Sequence, residues 1–246
     1  MMRKDRSRGR RPREKEAKPE WIPRTTIGRK VKSGEINSIE EIQSMGKPLL
    51  EEGIADYLLP GLTEDTLDIM NTQRMTQNGR KAQFRAIVLV GDKNGHVGIG
   101  AGKSEEVRPA IEAAARSAKC NIICVPIGCG SWECGCKTRH SLPIRAIGKN
   151  GSVEVTLKPA PRGLGVAANP VVRKVLIAAG IKDGWSFSRG HTENVYNMAM
   201  ATIHAMDSLN KMRYRGDWKE TASAEVEKKN KTEDEDATDV APAAVA

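Results

Sequence analysis

The sequence predicts an α+β protein of two small domains in tandem, flanked by a basic arm and an acidic tail, and three patterns carry that reading. Residues 82–104 alternate as two strands about a turn, residues 104–120 and 192–212 place apolar side chains at helical intervals, and a new strand opens at residue 153. The chain divides accordingly into an arm (1–33), a helical extension (34–62), a first domain (63–125), a second domain (126–212) and a tail (213–246).

From Met1 to about Lys32 there is no apolar period, so this stretch is expected to be disordered until it meets a partner. Ile36, Ile39, Ile42, Leu49, Leu50, Ile54 and Leu58 then recur at roughly helical spacing. Two short helices fit, interrupted near Gly46-Lys47-Pro48 and closed by Pro60-Gly61. Leu67 to Thr76 reads as a strand, and Ala82 to Val90 as a second. Gly91 to Gly95 is a turn whose Asn94-Gly95 pair suits positive φ angles, and His96 opens a third strand. A helix from Ser104 to Cys120 puts Val107, Ile111, Ala114 and Ala118 on one face, small enough for close packing on a sheet. Pro109 disturbs its start, while Arg108, Glu112, Arg116 and Lys119 are left for solvent or RNA. The first domain is therefore a three-stranded antiparallel sheet with a following helix.

In the second domain Val153, Val155 and Leu157 alternate in a strand that runs into a rigid basic loop, Pro159 to Gly165. Asn169 caps a helix with Pro170 at its first position, and Gly180 stops it. Val172, Val175, Leu176 and Ala179 form its buried stripe, with Arg173 and Lys174 pointing away. Trp185 to Arg189 is a short strand, and Thr192 to Met212 the last helix.

The 246-residue chain has a formal net charge of +9, unevenly spread. Residues 1–33 hold 13 Lys/Arg against 4 Asp/Glu, a net +9, and residues 217–246 hold 4 against 9, a net −5, which leaves +5 for the body. A basic arm that cannot bury anything points to a polyanion such as RNA. No apolar run approaches the ~20 residues needed to cross a bilayer, and no signal peptide is legible, so a cytoplasmic protein without a membrane partner is expected.

Gly95 to Val107, GHVGIGAGKSEEV, resembles a phosphate-binding loop at first sight. The spacing denies it. A P-loop needs a glycine, then four residues, then Gly-Lys-Ser, and the position required for that first glycine is Val97. The glycines alternate with Val97, Ile99 and Ala101 as in a strand, and Glu105 and Glu106 would repel a phosphate at the helix start. Neither a nucleotide nor another small-molecule substrate is expected.

Cys129, Cys134, Cys136 and His140 form C-x4-C-x-C-x3-H, which supplies the ligand types of zinc. Four ligands inside twelve residues leave little chain to reach round a tetrahedron, so no metal or other cofactor is expected and the cysteines are read as small apolar residues of a glycine-rich loop. His96, His140, His191 and His204 lie in different elements without a catalytic partner motif, and an enzyme is not expected.

Gly98, Gly100 and Gly102 clear one face of a strand so that another backbone, RNA or a packed protein segment, can approach closely. The basic residues around them, Arg74, Arg80, Lys81, Arg85, Lys93 and Lys103, favour RNA. With only Phe84 near, recognition would be of phosphate and shape, not base stacking. On this reading Gly100→Val blocks assembly with RNA but leaves the isolated fold largely intact.

These residues also carry a family resemblance. GRKAQFRAIVLVGDKNGHVGIGAGKSEEV with AIEAAARSAKCNI resembles the first-domain signature of the small-subunit ribosomal protein S-five family. VEVTLKPAPRGLGV, NPVVRKVLIAAGIKD and SRGHTENVYNMAMATIHAM resemble its second domain, so the likeness spans about Leu67 to Met212. It implies a double-stranded-RNA-binding-like first domain and a second domain with a left-handed βαβ crossover. GSWECGCKTRHSLP and the long arm resemble the archaeal and eukaryotic branch, and bacterial members lack these cysteines. The resemblance further implies a structural protein that binds small-subunit rRNA, touches ribosomal protein S-four, lies near the mRNA entrance and influences decoding accuracy. By the resemblance Arg80 to Lys103 would face rRNA and the Arg162 loop would be a second-domain contact; Arg173, Lys174 and Arg189 are further candidate RNA contacts of the second domain. An RNA-binding or chaperone module outside the ribosome is the alternative.

Overall fold

The computed structural model describes residues 21–136 and 138–211. Most of the basic arm and the whole acidic tail lie outside these residues. The described residues form two compact units, one of residues 21–90 with 98–122 and the other of 91–97 with 123–136 and 138–211.

In the first unit, helix α1 (Thr26–Lys32) begins inside the stretch expected to be disordered. Its anchor is distant in sequence. Glu51 accepts the Arg24 N–H at 2.9 Å and the Trp21 indole N–H at 3.0 Å, and Trp21 lies 6.3 Å from the Tyr57 ring, centroid to centroid. A polar run thus acquires order from partners that local periodicity does not contain. Helices α2 (Ile39–Ser44) and α3 (Glu52–Leu58) follow as expected, α2 capped by the Ser38 hydroxyl.

Strands β1 (Thr63–Thr76), β2 (Gly79–Gly91), β3 (His96–Ser104) and β4 (Ile122–Cys124) form one sheet in that order. The sheet has four strands and not three, because a three-residue strand is too short to show alternation. Helix α4 (Val107–Cys120) starts later than Ser104, which ends β3. Pro109 then falls in the first turn, where the missing N–H has no intrahelical acceptor to lose. Small residues make the contact between layers: Ala86, Val88 and Val90 of β2 pack with Ala110, Ala114, Ala115 and Ala118 of α4.

In the second unit, strands β5 (Ala146–Asn150), β6 (Val153–Pro159), β7 (Val166–Ala167) and β8 (Gly184–Arg189) pair in the order β5-β6-β8-β7. β5 and β7 were not visible as strands in the sequence. One is Gly-Lys-Asn-rich and the other has two residues. β7 and β8 are parallel neighbours joined through α5 (Pro170–Ala178), which is the βαβ element. Asn169 and Pro170 open α5 as expected, its Asn169 side chain accepting the Val171 N–H at 3.1 Å. Helix α6 (Val195–Asn210), capped by Asn194 instead of starting at Thr192, lies on β5 and β6, where Gly148 leaves room for the Ala201 and Ala205 backbone.

The tip of the β2–β3 hairpin belongs to this unit. Positive φ falls on Lys93 (63°) and Gly95 (106°), not on the Asn94-Gly95 pair. The reason is docking: the Lys93 and Gly95 N–H groups donate to Ala178 and Ala179 carbonyls at the end of α5, each at 3.0 Å. Within the tip, His96 Nδ1 lies 2.6 Å from Asp92 Oδ2, with the side chains 19% and 6% exposed. Burial opposes the imidazolium charge, but the Asp92 carboxylate, followed by the Cys124 sulfur, raises His96 to about 10. The folded value is the higher one, so this stabilisation is fully present below the ordinary histidine value of ~6.5 and is lost as pH rises. The loss is complete above about 10. NMR titration should find His96 still charged in mildly alkaline buffer, and the stability difference between the natural chain and His96→Gln should shrink across that window. A His96 resonance that titrates near neutrality would refute the pairing.

Candidate nucleic-acid interface

Strand alternation sorts the sequence-predicted residues onto two faces of the first sheet. Gly98, Gly100 and Gly102 are all buried, and a Cβ on any of them would overlap the backbone of α4 or of the residue opening β4. The close approach is therefore made by a packed protein segment, which corrects the assignment of these three glycines to RNA. The signal was ambiguous in principle, since a strand stripped of side chains fits a helix as well as a nucleic acid. Phe84 packs on this same helix-covered side.

On the opposite face Ile87, Leu89, Val97 and Ile99 are buried, and the charge gathers beyond them, toward the β1–β2 turn. Arg74 of β1, Lys81 of β2 and Lys103 of β3 line a single open concavity, together with Thr72, Gln73 and Gln83. All three cations are exposed, as is Arg80 at the start of β2, while Arg85 is half-buried. Lys81 Nζ lies 2.7 Å from Glu105 Oε1 with both side chains more than half exposed, and this neighbour holds the Glu105 carboxyl below its usual value. An exposed pair of this kind exchanges readily for a phosphate. The lining residues offer guanidinium, ammonium, amide and hydroxyl donors with no aromatic ring, a set that reads phosphate and groove shape.

Lys93 is exposed, although its backbone is committed to α5. In the second unit Arg162 sits exposed in the loop after β6, Arg173 and Lys174 lie on the outer side of α5, and Arg189 ends β8. Lys119, expected at the surface, is buried at 6% exposure.

The cysteine segment contradicts the spacing argument. The ligand atoms of Cys129, Cys134, Cys136 and His140 all lie within 4.8 Å of one another. Residues 128 and 141 pair as a bridge, with the Gly128 and Ser141 N–H groups each donating to the other's carbonyl at 2.8 Å. That pairing folds the twelve residues back so that the first and last ligands stand side by side. Hydrogen bonds from Thr138 lower the Cys136 thiol, and burial raises that of Cys129.

Comparison with known proteins decides the family. Residues 62–126 match "Ribosomal protein S5, N-terminal domain" and residues 148–221 match "Ribosomal protein S5, C-terminal domain". The chain belongs to the ribosomal protein S5 family. It is 53% identical over 191 residues to the small ribosomal subunit protein uS5 of Methanocaldococcus jannaschii, covering 78% of this chain and 88% of that one. The uS5 proteins of Aeropyrum pernix (51%, covering 81% and 92%) and Methanoregula boonei (49%, covering 80% and 96%) are similar to it as well. The second family match extends past Met212, further than the motifs alone reached. Residues 127–147, which hold the cysteine cluster, lie between the two matches.

Proposed function

We propose that the chain is a structural, non-enzymatic constituent of the small ribosomal subunit in the cytoplasm, and that it holds small-subunit rRNA through the charged outer end of the first sheet, where Arg74, Lys81 and Lys103 meet. The observation that supports this reading is the grouping of Arg74, Lys81 and Lys103 in one exposed concavity. On this reading Arg80 and Arg85 of β2, and Lys93, Arg162, Arg173, Lys174 and Arg189 of the second unit, supply further phosphate contacts. Among the described residues no helix is long and apolar enough to cross a membrane.

A tagged copy should sediment with the small subunit through a high-salt wash, whereas a chain that stays at the top of the gradient would instead be an RNA binder outside the ribosome. Changing Arg74, Lys81 and Lys103 together to Gln should flatten the salt dependence of rRNA binding. Each lost phosphate contact removes roughly 0.7 to 1 from the slope of log K against log salt. An unaltered slope would remove this end of the sheet from the interface. Within the same reading, the protein touches ribosomal protein S-four, lies near the mRNA entrance and contributes to translational accuracy. Cross-linking from the second unit to S-four and to mRNA, with a misreading reporter in Arg162→Ala cells, tests those three statements.

A further inference from the structure

We propose that Cys129, Cys134, Cys136 and His140 hold one structural Zn2+ through three thiolate sulfurs and the His140 Nε2. The inference is independent of the ribosomal reading, and its readout is metal content, not assembly.

The distances are those of ligands around a shared ion. Cys136 Sγ lies 3.5 Å from Cys129 Sγ, and Cys134 Sγ lies 3.7 Å from His140 Nε2. A tetrahedral ion with metal–sulfur bonds of ~2.3 Å has sulfur–sulfur edges of ~3.8 Å, so these contacts match the edges of such a polyhedron. Three thiolates and an imidazole suit zinc and exclude the hard oxygen-seeking cations. With all four positions supplied by protein, no site remains for water or substrate, and the role is structural.

A second observation points the same way. His140 is 4% exposed, and its Nδ1 lies 2.8 Å from Oδ2 of Asp183, which is equally buried. That carboxylate takes the Nδ1 proton as a hydrogen bond and leaves the Nε2 lone pair aimed at the sulfurs, which is how a metal-bound histidine is oriented. Asp183 is itself fixed, its Oδ1 accepting the N–H groups of Gly163 at 3.1 Å and Gly165 at 2.8 Å. Cys134, His140 and Asp183 also stand in the order of nucleophile, base and orienting acid. The two further thiols gathered on the same imidazole nitrogen side distinguish a ligand sphere from such a triad.

Binding converts three thiols to thiolates, releases three protons and leaves the site with a net charge of −1. The ion would close a glycine-rich segment with little core of its own. Through Asp183 it would also brace the basic loop that carries Arg162, and it would hold up Trp132, which is 92% exposed.

The test is metal analysis of the full chain, expressed with zinc in the medium and purified anaerobically with reductant. Close to one zinc per chain is expected. Replacement by Co2+ should give the intense visible bands of a tetrahedral site together with thiolate charge transfer. Cys136→Ser should lose the metal, and Cys120→Ser should keep it. Asp183→Asn, a positioning change, should keep the Co2+ spectrum but weaken affinity about 10- to 100-fold. Should Cys136→Ser fail to fold, thiol titration of the natural chain serves instead, with three thiols protected until a chelator is added. Substoichiometric zinc without a tetrahedral Co2+ spectrum, a Cys129–Cys136 disulfide in the anaerobic protein, or thiols equally reactive with and without chelator would overturn the proposal.

Discussion

Gly100→Val is expected to unfold the first unit, not merely to block its assembly with RNA. A Cβ at this position would lie 2.8 Å from the Ser117 carbonyl carbon and closer still to Ala118 N and Ala114 O, all of them backbone atoms of α4. Backbone cannot rotate away as a side chain can, so the helix would have to lift off the sheet. Lifting it exposes the contact of Ala86, Val88 and Val90 with Ala110, Ala114 and Ala118. Overpacking of this kind lies at the extreme of single substitutions, above about 4 kcal/mol. Even Gly100→Ala should be costly, because the first added carbon already overlaps. Ala101→Val, one residue along and therefore on the other face, is the control, expected to retain a cooperative thermal transition. If Gly100→Val melted like the natural chain and failed only in rRNA binding, the glycine face would be a nucleic-acid surface after all.

What the sequence carries depends on how near in the chain the deciding neighbours lie. The long alternating strands, the cap at Asn169, the stop at Gly180 and the two long helices were legible because each is decided by neighbours within a few residues. β4, β5 and β7 were not, since strands of two to five residues exist through their pairing partners and have too few side chains to display a period. The glycine run was legible as a close approach but not in its partner. Gly148 against Ala201 and Ala205 repeats the device in the second unit, which shows it to be a rule of how these sheets seat their helices. The cysteine spacing misled for a geometric reason. Chain length between ligands limits how far apart they can be, but a hairpin bridge brings its two ends together whatever the count between them. Of the basic residues expected around the sheet, Arg74, Arg80, Lys81 and Lys103 are exposed and Arg85 is half-buried; Lys119 of α4, left for solvent or RNA by its helical position, is buried because periodicity does not reveal a carboxylate arriving from another element.

Lys119→Ala is therefore expected to be the most damaging change among the cations of α4. Its ammonium lies 2.9 Å from Asp56 of α3 and 3.0 Å from Glu64 of β1, with the lysine side chain 8% exposed and the acids 34% and 45% exposed. One charge thus ties three elements of the first unit together. Removing it leaves two carboxylates facing each other beside a cavity where the lysine stem had packed, a loss of about 2 to 4 kcal/mol. The acids can partly rehydrate, which keeps the cost below that of a wholly buried pair. Burial works against the ammonium, but Asp56 and then Glu64 more than compensate and hold it above the usual lysine range. Because the folded value is raised, the stabilisation is complete below the unfolded lysine value of ~10.4 and fades only as pH rises through the higher folded one. Urea unfolding should consequently show a nearly constant gap between the natural chain and Lys119→Ala across neutral pH, closing in strong alkali. Hydrogen exchange should locate the loss, with amides of α3 opening first, since α3 reaches α4 partly through this charge. A gap that instead vanished on mild acidification while persisting in alkali would mean that Lys119 is not the charge holding these elements.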